Sequence, residues 1–486
     1  MSLSGALSNA LSGLTANSRA ASLVASNIAN ATTESYGRRI LSLSSRASGT
    51  SGGVMINGVV RSVNTVILAD RRLSDAQSGF ANNMQAFASR VENIVGASGE
   101  AGSLTQRFSA FENALLSAAS DPSSVQRLQA VSQTANDFAT TLNTLSNGIQ
   151  SARTDADRSI SSQVDALNAA LTQVDSLNTA IAEATLRGSD ASSLMDERQR
   201  VIDGVSDIVP LRIMERENGA LAIHTASGAV LLDNTIHSEP AVISFSRSAI
   251  ITADMSLGNG LLSGIEINGT PVNSTNGGPL GGGTLGAQLQ IRDTVAVEMQ
   301  STLDGLARDL IDRFSAGGPD ATIAVGDPGL FTDEGATFDP LNETGIAARI
   351  RINDLVAPSG NGQWRLRDGL GAVAQGDVGN AGLLQAYSGA LEELTVPGST
   401  SLATGASSFG QHVADFHAAV SYARVRSDSE VSFSSAQHTA LKELELSDGV
   451  DTDAELQNLM LIEQHYAANA RVMTVVDELM QTLMRI

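Results

Sequence analysis

Cysteine is absent from the 486 residues, which excludes disulfides, thiolate nucleophiles and metal sites with cysteine ligands. Aromatic residues make up only 3% of the chain, although pockets for small ligands are usually lined with them. Hydrophobic residues nevertheless account for 42% and charged residues for 17%, which is typical of a folded protein. The composition predicts a core built from Ala, Leu, Val and Ile, and it gives no support for a cofactor.

Positive charge is also scarce. The chain carries 30 Lys and Arg against 52 Asp and Glu, a formal net charge of −22, and Lys442 is its only lysine. A surface this negative repels phosphate backbones and offers no basic patch to anionic lipids. We therefore expect neither a nucleic-acid partner nor a membrane partner, and the simplest role of the charge is solubility through self-repulsion.

Long uninterrupted apolar segments are missing too. No segment approaches the ~18 apolar residues of a membrane-spanning helix. The first positive charge is Arg19, and no compact apolar segment follows a basic start, as it would in a cleavable signal peptide. We expect a protein that either stays inside the cell or leaves by a route that needs no cleavable signal.

The first thirty residues contain a single charge and an apolar repeat that is typical of a coiled-coil helix. Small residues (Ser, Ala, Gly, Asn) fill the positions between and would let neighbouring backbones approach closely. Such a helix has almost no charged face for solvent, so we expect other helices to surround it. The repeating positions are Leu3, Leu7, Ala10, Leu14, Asn17, Ala21, Val24 and Ile28.

The last thirty residues show the same pattern after an acidic turn. Thr452 followed by Glu455 predicts a capping box at the start of this helix. Its single polar position, Asn469, is the kind of buried asparagine that fixes the register of a coiled coil. The repeating positions are Leu459, Ile462, Tyr466, Asn469, Met473, Val476, Met480 and Leu483.

Between the two ends the residue pattern changes several times. Val54, Ile56 and Val59 alternate with polar residues and predict a short hairpin. Residues 76–206 predict helices, with a long one over 154–187. The segment 210–275 alternates apolar and polar residues between Gly, Asn and Pro, which predicts strands, and a helix returns at 284–315. Further short strands are predicted around residues 350–352 and 364–366.

Together these patterns predict an α+β fold with paired terminal coiled-coil helices, a long-helix bundle domain and an inserted β-rich outer domain. The terminal domain is assigned to residues 1–38 and 455–486. The helical bundle domain comprises 39–208, 284–316 and 379–454, and the β-rich insertion comprises 209–283 and 317–378.

No catalytic, cofactor-binding or metal-binding residues are predicted. The six histidines show no ligand spacing; His412 and His417, for example, are five residues apart, and His237 is isolated. The acidic turn fails the calcium-loop pattern, because Leu456 and Ile462 occupy the positions of its glycine and glutamate. The glycines around residue 282 are not followed by Gly-Lys-Ser/Thr, so they are more simply a connector than a phosphate loop.

The two ends of the sequence resemble a known family. Residues 6–14 (ALSNALSGL) and 26–32 (SNIANAT) resemble the N-terminal signature of flagellar rod, hook and hook-associated proteins. Residues 458–460 (NLM) and 463–472 (EQHYAANARV) are similar to the C-terminal element of the same family. Either signature alone would be weaker evidence than the pair.

Three internal segments resemble the hook-associated members of that family in particular. They are residues 36–39 (YGRR), 194–199 (LMDERQ) and the pair 282–286 (GGTLG) with 290–293 (QIRD). Glu34 and Ser35 replace the usual Pro-Gly, and Glu463 replaces a neutral residue. Residues 211–280 and 316–405 resemble nothing that we can name.

The resemblance implies a non-enzymatic, extracellular subunit of the bacterial flagellum that forms the hook–filament junction as an adaptor. It also implies export, without a cleavable signal, by the flagellar type III machinery. The implied partners are copies of itself in a helical tube, the hook protein, the second junction protein or filament, and an export chaperone at the C-terminal helix. Two alternatives remain: another axial protein (the second junction protein, a hook or a filament subunit), or an enzyme carried in the flagellum with its site in the unmatched middle.

Isolated helices are marginal in water, whereas a fully buried apolar side chain gains roughly 1.5–3 kcal/mol. We therefore expect assembly to supply the burial, so that subunit addition is coupled to folding of the ends. The residues predicted to pack in the assembly are Leu3, Leu7, Leu14, Val24, Asn27, Ile28, Asn30, Leu459, Ile462, Tyr466, Asn469, Met473, Val476, Met480 and Leu483.

Overall fold

The two ends of the chain form an antiparallel pair of long helices. The computed structural model describes residues 3–46, 52–97, 99–236, 239–273, 277–402 and 405–485. Helix α1 spans Leu3–Ala29 and helix α12 spans Thr452–Met484. Near one end of the pair Asn27 contacts Glu455, and farther along Gly13 lies against Asn469, so the helices run in opposite directions. The predicted terminal helices are confirmed.

The cap of α12 differs from the prediction. Asp451 accepts hydrogen bonds from the backbone N–H groups of Asp453 (2.9 Å) and Ala454 (3.2 Å). Because helical geometry already begins at Thr452, the capping position falls on Asp451, whose carboxylate is a strong acceptor for these N–H groups. The predicted capping box of Thr452 with Glu455 is therefore wrong, and Glu455 is free to bond elsewhere.

A β-hairpin follows α1 and packs along it, as the alternation around Val54 predicted. Strands β1 (Arg38–Ser45) and β2 (Val54–Ser62) are antiparallel, with a bulge between Ser42 and Leu43. The backbone N–H of Val54 donates to Ser12 Oγ of α1 at 3.1 Å. The hairpin is thus attached to the same helix that pairs with α12.

Helices form the body of the molecule, and one of them is much longer than predicted. Helix α4 runs for 62 residues from Val125, where Ser124 caps it, whereas the sequence predicted a long helix only from residue 154. The apolar stripe continues over its first half through Leu128, Val131 and Phe138, all fully buried. The helices of the body are α2 (Thr65–Val95), α3 (Leu104–Ser120), α4 (Val125–Leu186), α5 (Ser192–Asp203), α6 (Gly283–Gln290), α7 (Ala296–Arg313), α10 (Gly382–Glu392) and α11 (Phe409–Ser447).

Short antiparallel strands occupy the middle of the chain. Strands β3 (Leu211–Glu215), β4 (Leu221–Thr225) and β5 (Val230–Leu232) form one sheet, and β6 (Ile243–Ser244), β7 (Glu266–Ile267) and β8 (Thr270–Pro271) form a second. Strand β9 (Phe331–Asp333) pairs with β10 (Ile350–Ile352), beside the short helices α8 (Ile346–Arg349) and α9 (Arg365–Asp368). The strand predicted at 364–366 is wrong: α9 turns there and stops at Gly369, whose positive φ of 106° only glycine adopts easily.

Helix α4 connects two hydrophobic cores. Its first half packs with α2, α3, α7, α10, α11 and residues 330–370. This core contains two sets of aromatic rings in contact, one around Phe138 and Phe409 and one around Phe111 and Phe314. Its second half packs with α5, α6 and strands β3–β6. The observed mixture of helices and small antiparallel sheets agrees with the predicted α+β class, whereas the division into three domains stays a prediction. None of the helices in the described ranges is long and apolar enough to cross a membrane.

Candidate assembly surface

Helix α12 is almost entirely uncovered within the single chain. Of its 33 residues, only Glu455 and Val476 are buried. Among the predicted packing residues, Leu459, Ile462, Asn469 and Met473 are half-buried along the side that faces α1, whereas Tyr466, Met480 and Leu483 are exposed. The predicted repeat on α12 thus marks the side towards α1, but most of the helix surface has no cover.

On α1 the small residues, rather than the leucines, face α12. The buried positions are Ala10, Gly13, Ala16, Val24 and Asn27. A Cβ atom at Gly13 would lie 2.7 Å from Asn469 Nδ2, so a larger residue here would have to displace the Asn469 side chain.

The buried stripe of α1 is therefore rotated from the predicted one. Leu7 is 38% exposed, and Leu3, Leu14 and Ile28 are half-buried at its edge. The heptad pattern placed the leucines at the centre of the contact because it gives most weight to large apolar side chains. Close contacts between helices instead favour small side chains.

A second apolar stripe runs along the outer side of α12. We define the outer stripe as Leu461, Val472, Val475 and Leu479, which recur at helical spacing and are each 45–54% exposed. Isolated exposed leucines are ordinary on protein surfaces, but several exposed apolar side chains on one side of a helix, here interrupted by His465, favour a site of interaction. The α1–α12 pair therefore presents more apolar surface than the chain itself covers.

Asn27 joins three segments at the base of this pair. Its Oδ1 accepts hydrogen bonds from the Arg39 backbone N–H and the Tyr36 hydroxyl, both at 2.9 Å. Its Nδ2 donates to the Arg39 carbonyl (3.0 Å) and to Glu455 Oε2 (3.3 Å). Arg38 pairs with the other Glu455 oxygen at 2.6 Å. Asn27 was predicted to be a packing residue, but its role in connecting α1, the hairpin and α12 was not predicted.

Another predicted asparagine, Asn30, forms the described hydrogen bonds of its side chain within α1 and the residues just after it. Its Nδ2 donates to the Ser26 carbonyl at 2.9 Å, one turn earlier in the same helix, and its Oδ1 accepts from Thr33 at 3.3 Å. Asn30 therefore closes the end of α1 and makes no described hydrogen bond to α12.

Two segments that are distant in sequence form the joint between the hairpin and the body. Asp196 of α5 accepts hydrogen bonds from the Gly37 backbone N–H (3.0 Å), Arg39 (2.9 Å) and Arg61 (2.6 Å). These contacts bring residues 36–39 and 194–199, two of the segments that resemble hook-associated proteins, into direct contact. A resemblance in both segments was the only sequence signal for this joint.

A second carboxylate strengthens the same joint. Asp203 accepts hydrogen bonds from Ser35 (3.0 Å) and pairs with Arg71 and Arg72, each at 2.7 Å. Arg71 also reaches Glu445 of α11 at 2.8 Å. The hairpin, α2, α5 and α11 are thus connected by charge-assisted hydrogen bonds, which are about twice as strong as neutral ones.

Two cavities contain carboxylates that could form a catalytic site. One, of about 460 Å³, lies at the joint between the hairpin and the body. There Asp75 forms ion pairs with Arg71 (2.5 Å) and His438 (3.0 Å). The other, of about 520 Å³, lies between α4 and residues 250–254 and 344–349, and its Asp155 is paired with Arg90 and Arg158. The carboxylates named are thus held in structural ion pairs.

The histidines are dispersed. His412 and His417 are both buried, and His417 contacts the Gly96 carbonyl through Nε2 at 3.1 Å. His224 lies 3.6 Å from Asp233, and His237 lies outside the described residues. Within the described ranges, no three His, Asp or Glu side chains are grouped so as to hold a metal ion.

Two protein-family models match the chain. The model for the flagellar hook-associated protein FlgK helical domain matches residues 88–328, and that for the flagellar basal body rod FlgEFG protein C-terminal matches residues 446–486. The second match covers α12, and the first covers the body from α2 to α7 and the start of the following segment.

Individual proteins similar to this chain are also flagellar hook-associated proteins. Flagellar hook-associated protein 1 of Bacillus subtilis is 24% identical over 507 residues, which cover 98% of this chain and 96% of that protein. Flagellar hook-associated protein 1 of Salmonella typhimurium is 25% identical over 329 residues, which cover 65% of this chain and 56% of that protein, little more than half its length. The solved flagellar hook junction protein FlgK from Burkholderia pseudomallei is 16% identical, with a TM-score of 0.44 over 54% of this chain and 46% of that one.

The segments matched by the two models and the nearly full-length similarity to the Bacillus protein agree with each other and with the exposed terminal helices. The chain belongs to the family of flagellar hook-associated protein 1, non-enzymatic structural proteins of the bacterial flagellum.

Proposed function

We propose that this protein is a subunit of the hook–filament junction, where it forms an adaptor between hook and filament, and that it assembles through α1 and α12. The observation that carries this proposal is the near-complete exposure of α12, with two buried residues out of 33. A helix in water is marginal on its own, and among the described elements α12 packs extensively only against α1. Neighbouring subunits would supply the missing cover.

The proposed partners follow from the same surface. Copies of the chain arranged in a helical tube would cover the outer stripe and the exposed leucines of α1, and hook and filament proteins would meet the two ends of that tube. Before assembly the apolar stripe needs protection, so an export chaperone is proposed to bind α12. Export in an unfolded state by the type III machinery is compatible with a chain that has no disulfide to break.

The residues proposed to be covered on assembly are the predicted packing residues that stay exposed or half-buried in the chain. They are Leu3, Leu7, Leu14, Ile28, Asn30, Leu459, Ile462, Tyr466, Asn469, Met473, Met480 and Leu483. Val24, Asn27 and Val476 are buried within the chain and would hold the helix pair together instead.

Deletion of residues 456–486 tests the proposal in bacterial cells that lack the normal protein. We expect the truncated chain to fold in its body, because the two cores contain no residue of α12, yet to be absent from purified flagella. Electron microscopy should then show hooks without filaments. A matched control is Val373→Asp, at a side chain that is 99% exposed far along the chain, which should be incorporated normally.

Two results would contradict the proposal. Incorporation of the truncated chain at the normal level would exclude assembly through α12. Intact filaments on cells without the protein would favour another position in the axial structure, such as that of a hook or filament subunit, over an adaptor between hook and filament.

A further inference from the structure

We infer that the outer side of the β-hairpin binds the outer stripe of α12 from a second copy of this chain. The inference rests on the proposed function and adds to it a specific pair of surfaces. Its evidence is an uncovered apolar face on the hairpin, the charge of the two surfaces and their lengths.

The hairpin has an apolar face that stays partly exposed among the residues that the structure describes. Ile40 and Val60 lie directly opposite each other across the two strands, and Met55 lies on the same side beyond the bulge. These three side chains, which we call the hairpin face, are each 43–53% exposed. An antiparallel sheet normally turns a polar side to solvent, and a two-stranded sheet needs packing to be stable. This outer side is therefore unusual unless another surface covers it.

The charge of the hairpin sets it apart from the rest of the chain. Residues 38–62 contain four arginines and no carboxylate, although the chain as a whole has a net charge of −22. Three of the arginines form ion pairs within the chain (Arg38 with Glu455, Arg39 and Arg61 with Asp196), whereas Arg46 forms none among the described residues. The hairpin is thus a surface that an acidic partner can approach without repulsion.

The outer stripe of α12 has the complementary properties. The helix carries five carboxylates and a single arginine, and Glu478 at the edge of the stripe has no ion pair among the described residues. From Leu461 to Leu479 the stripe is about 27 Å long, at about 1.5 Å per residue. The hairpin face extends over about 17 Å, at about 3.3 Å per residue between Met55 and Val60. The stripe is therefore long enough to cover the whole face.

A second copy is the occupant that these features favour. Two chains that each carry −22 repel one another except where their contacting surfaces are complementary, and like charges at an interface cost several kcal/mol. The hairpin face and the outer stripe are different surfaces of one chain. A contact between different surfaces leaves one of each free at the two ends, so it repeats from copy to copy and builds an open helix when the rotation between copies does not close a ring.

Disulfide trapping tests the pairing, since the chain has no cysteine of its own. Cells would express two full-length chains together, one with Val60→Cys and the other with Val475→Cys, and their purified flagella would be treated with a mild oxidant. We expect a covalent dimer that contains one chain of each kind, and none when either variant is expressed alone. A chain with both substitutions should give a ladder of dimers, trimers and longer species.

The matched control replaces Val475→Cys with Val373→Cys, at a valine outside both surfaces that is more exposed (99%) than Val475 (54%), and should give no dimer. If both variants enter the flagella but no mixed dimer forms, or if each variant forms dimers with itself, the inferred pairing is wrong while the proposed function stands. If wild-type chains are absent from the flagella, the proposed function itself fails.

Introducing charges at Val60 and Val475 gives a second test, the amount of protein incorporated into flagella, which does not depend on thiol geometry. Val60→Lys and Val475→Lys should each reduce incorporation at least tenfold, because each places a desolvated charge in an apolar contact. Combining Val60→Lys with Val475→Glu in one chain should restore part of the loss. Equal losses in the combined variant and the single ones would overturn the pairing.

Discussion

At the scale of single residues, polar side chains decide where the terminal helices attach. Asn27 uses both ends of its amide to hold the hairpin and α12 against α1, and Glu455 completes the set with Arg38. Both Asn27 and Glu455 are 1% exposed, so their hydrogen bonds face no competition from solvent. A buried polar group that loses its partner costs about 1–3 kcal/mol.

Asn27→Ala should therefore loosen the base of the helix pair. We expect a loss of roughly 1–3 kcal/mol in the local stability of the segment around Glu455, since its carboxylate and the Arg39 backbone lose partners. Hydrogen exchange of residues 452–462 would measure it. Asn30→Ala is the control, because Asn30 bonds only within and just after α1. Equal effects of the two substitutions would refute a connecting role for Asn27.

A second residue, Asp233, makes the middle of the chain sensitive to acid. A hydrogen bond from Arg216 (2.5 Å), followed by those from Thr235, holds the pKa of this buried carboxyl well below its ordinary value. Because this pKa is lower in the folded than in the unfolded state, the stabilisation is complete above about pH 4 and is lost as the pH falls further.

Asp233→Asn should consequently destabilise the β3–β5 sheet at pH 7, and its difference from the wild type should shrink in acid. Urea unfolding at pH 7 and near pH 3, read from hydrogen exchange of residues 211–232, would test this. A difference between variant and wild type that is the same at both pH values would contradict the assigned ion pair.

At the scale of elements, the contact of α1 with α12 depends on the size of the side chains on α1. Its buried residues include Ala10, Gly13 and Ala16, and the Asn469 side chain of α12 lies directly against Gly13. Larger side chains on this stripe would separate the pair, whereas Leu7 lies beside it and is partly exposed.

Gly13→Leu should therefore separate α1 from α12 within the chain. Its side chain would overlap Asn469, and the resulting strain should cost on the order of 1–3 kcal/mol. Leu7→Ser should change the stability of the free subunit by less than about 0.5 kcal/mol, as at other surface sites, yet reduce incorporation into flagella. Hydrogen exchange of α12 and the amount of protein in purified flagella would separate the two effects. The opposite order of stabilities would show that the leucines face α12 after all.

Helix periodicity made several elements predictable from the sequence. The terminal helices, the hairpin and the strands after Pro210 all carry a regular apolar pattern, and each was found. Helices were predicted over 76–206, but the continuity of α4 from Val125 to Leu186 was missed because polar Ser, Thr and Asn residues dilute the apolar stripe of its first half. The strand expected at 364–366 became a helical turn, because Gly369 and local hydrogen bonds such as that from Gly369 to the Arg365 carbonyl (2.7 Å) determine its path.

The joint and the orientation of the buried stripe could not be predicted in the same way. Asp196 meets Gly37, Arg39 and Arg61 across more than a hundred residues of chain, and nothing in local periodicity encodes such a contact. Likewise, the choice between the leucines and the small residues of α1 depends on how close α12 comes, which is a property of the folded pair.

At the scale of the whole molecule, the chain divides its hydrophobic surface between two purposes. The body buries most of its phenylalanines in cores around α4, whereas the large aromatic side chains that are exposed among the described residues, Tyr422, Phe433 and Tyr466, lie on α11 and α12. A net charge of −22 keeps free chains apart, so contact between copies depends on surfaces such as the hairpin, which carries no carboxylate. Charge repulsion thus keeps free chains apart, and the hairpin is a specific surface through which copies can contact each other.

Hydrogen exchange of α12 in the free subunit and in purified flagella tests the central claim most directly. If the terminal helices acquire their cover from neighbours, the amides of residues 456–484 exchange rapidly in the free chain while those of α4 are protected, and in flagella they become as protected as α4. Protection of α12 in the free subunit equal to that of α4, with no increase on assembly, would contradict the account.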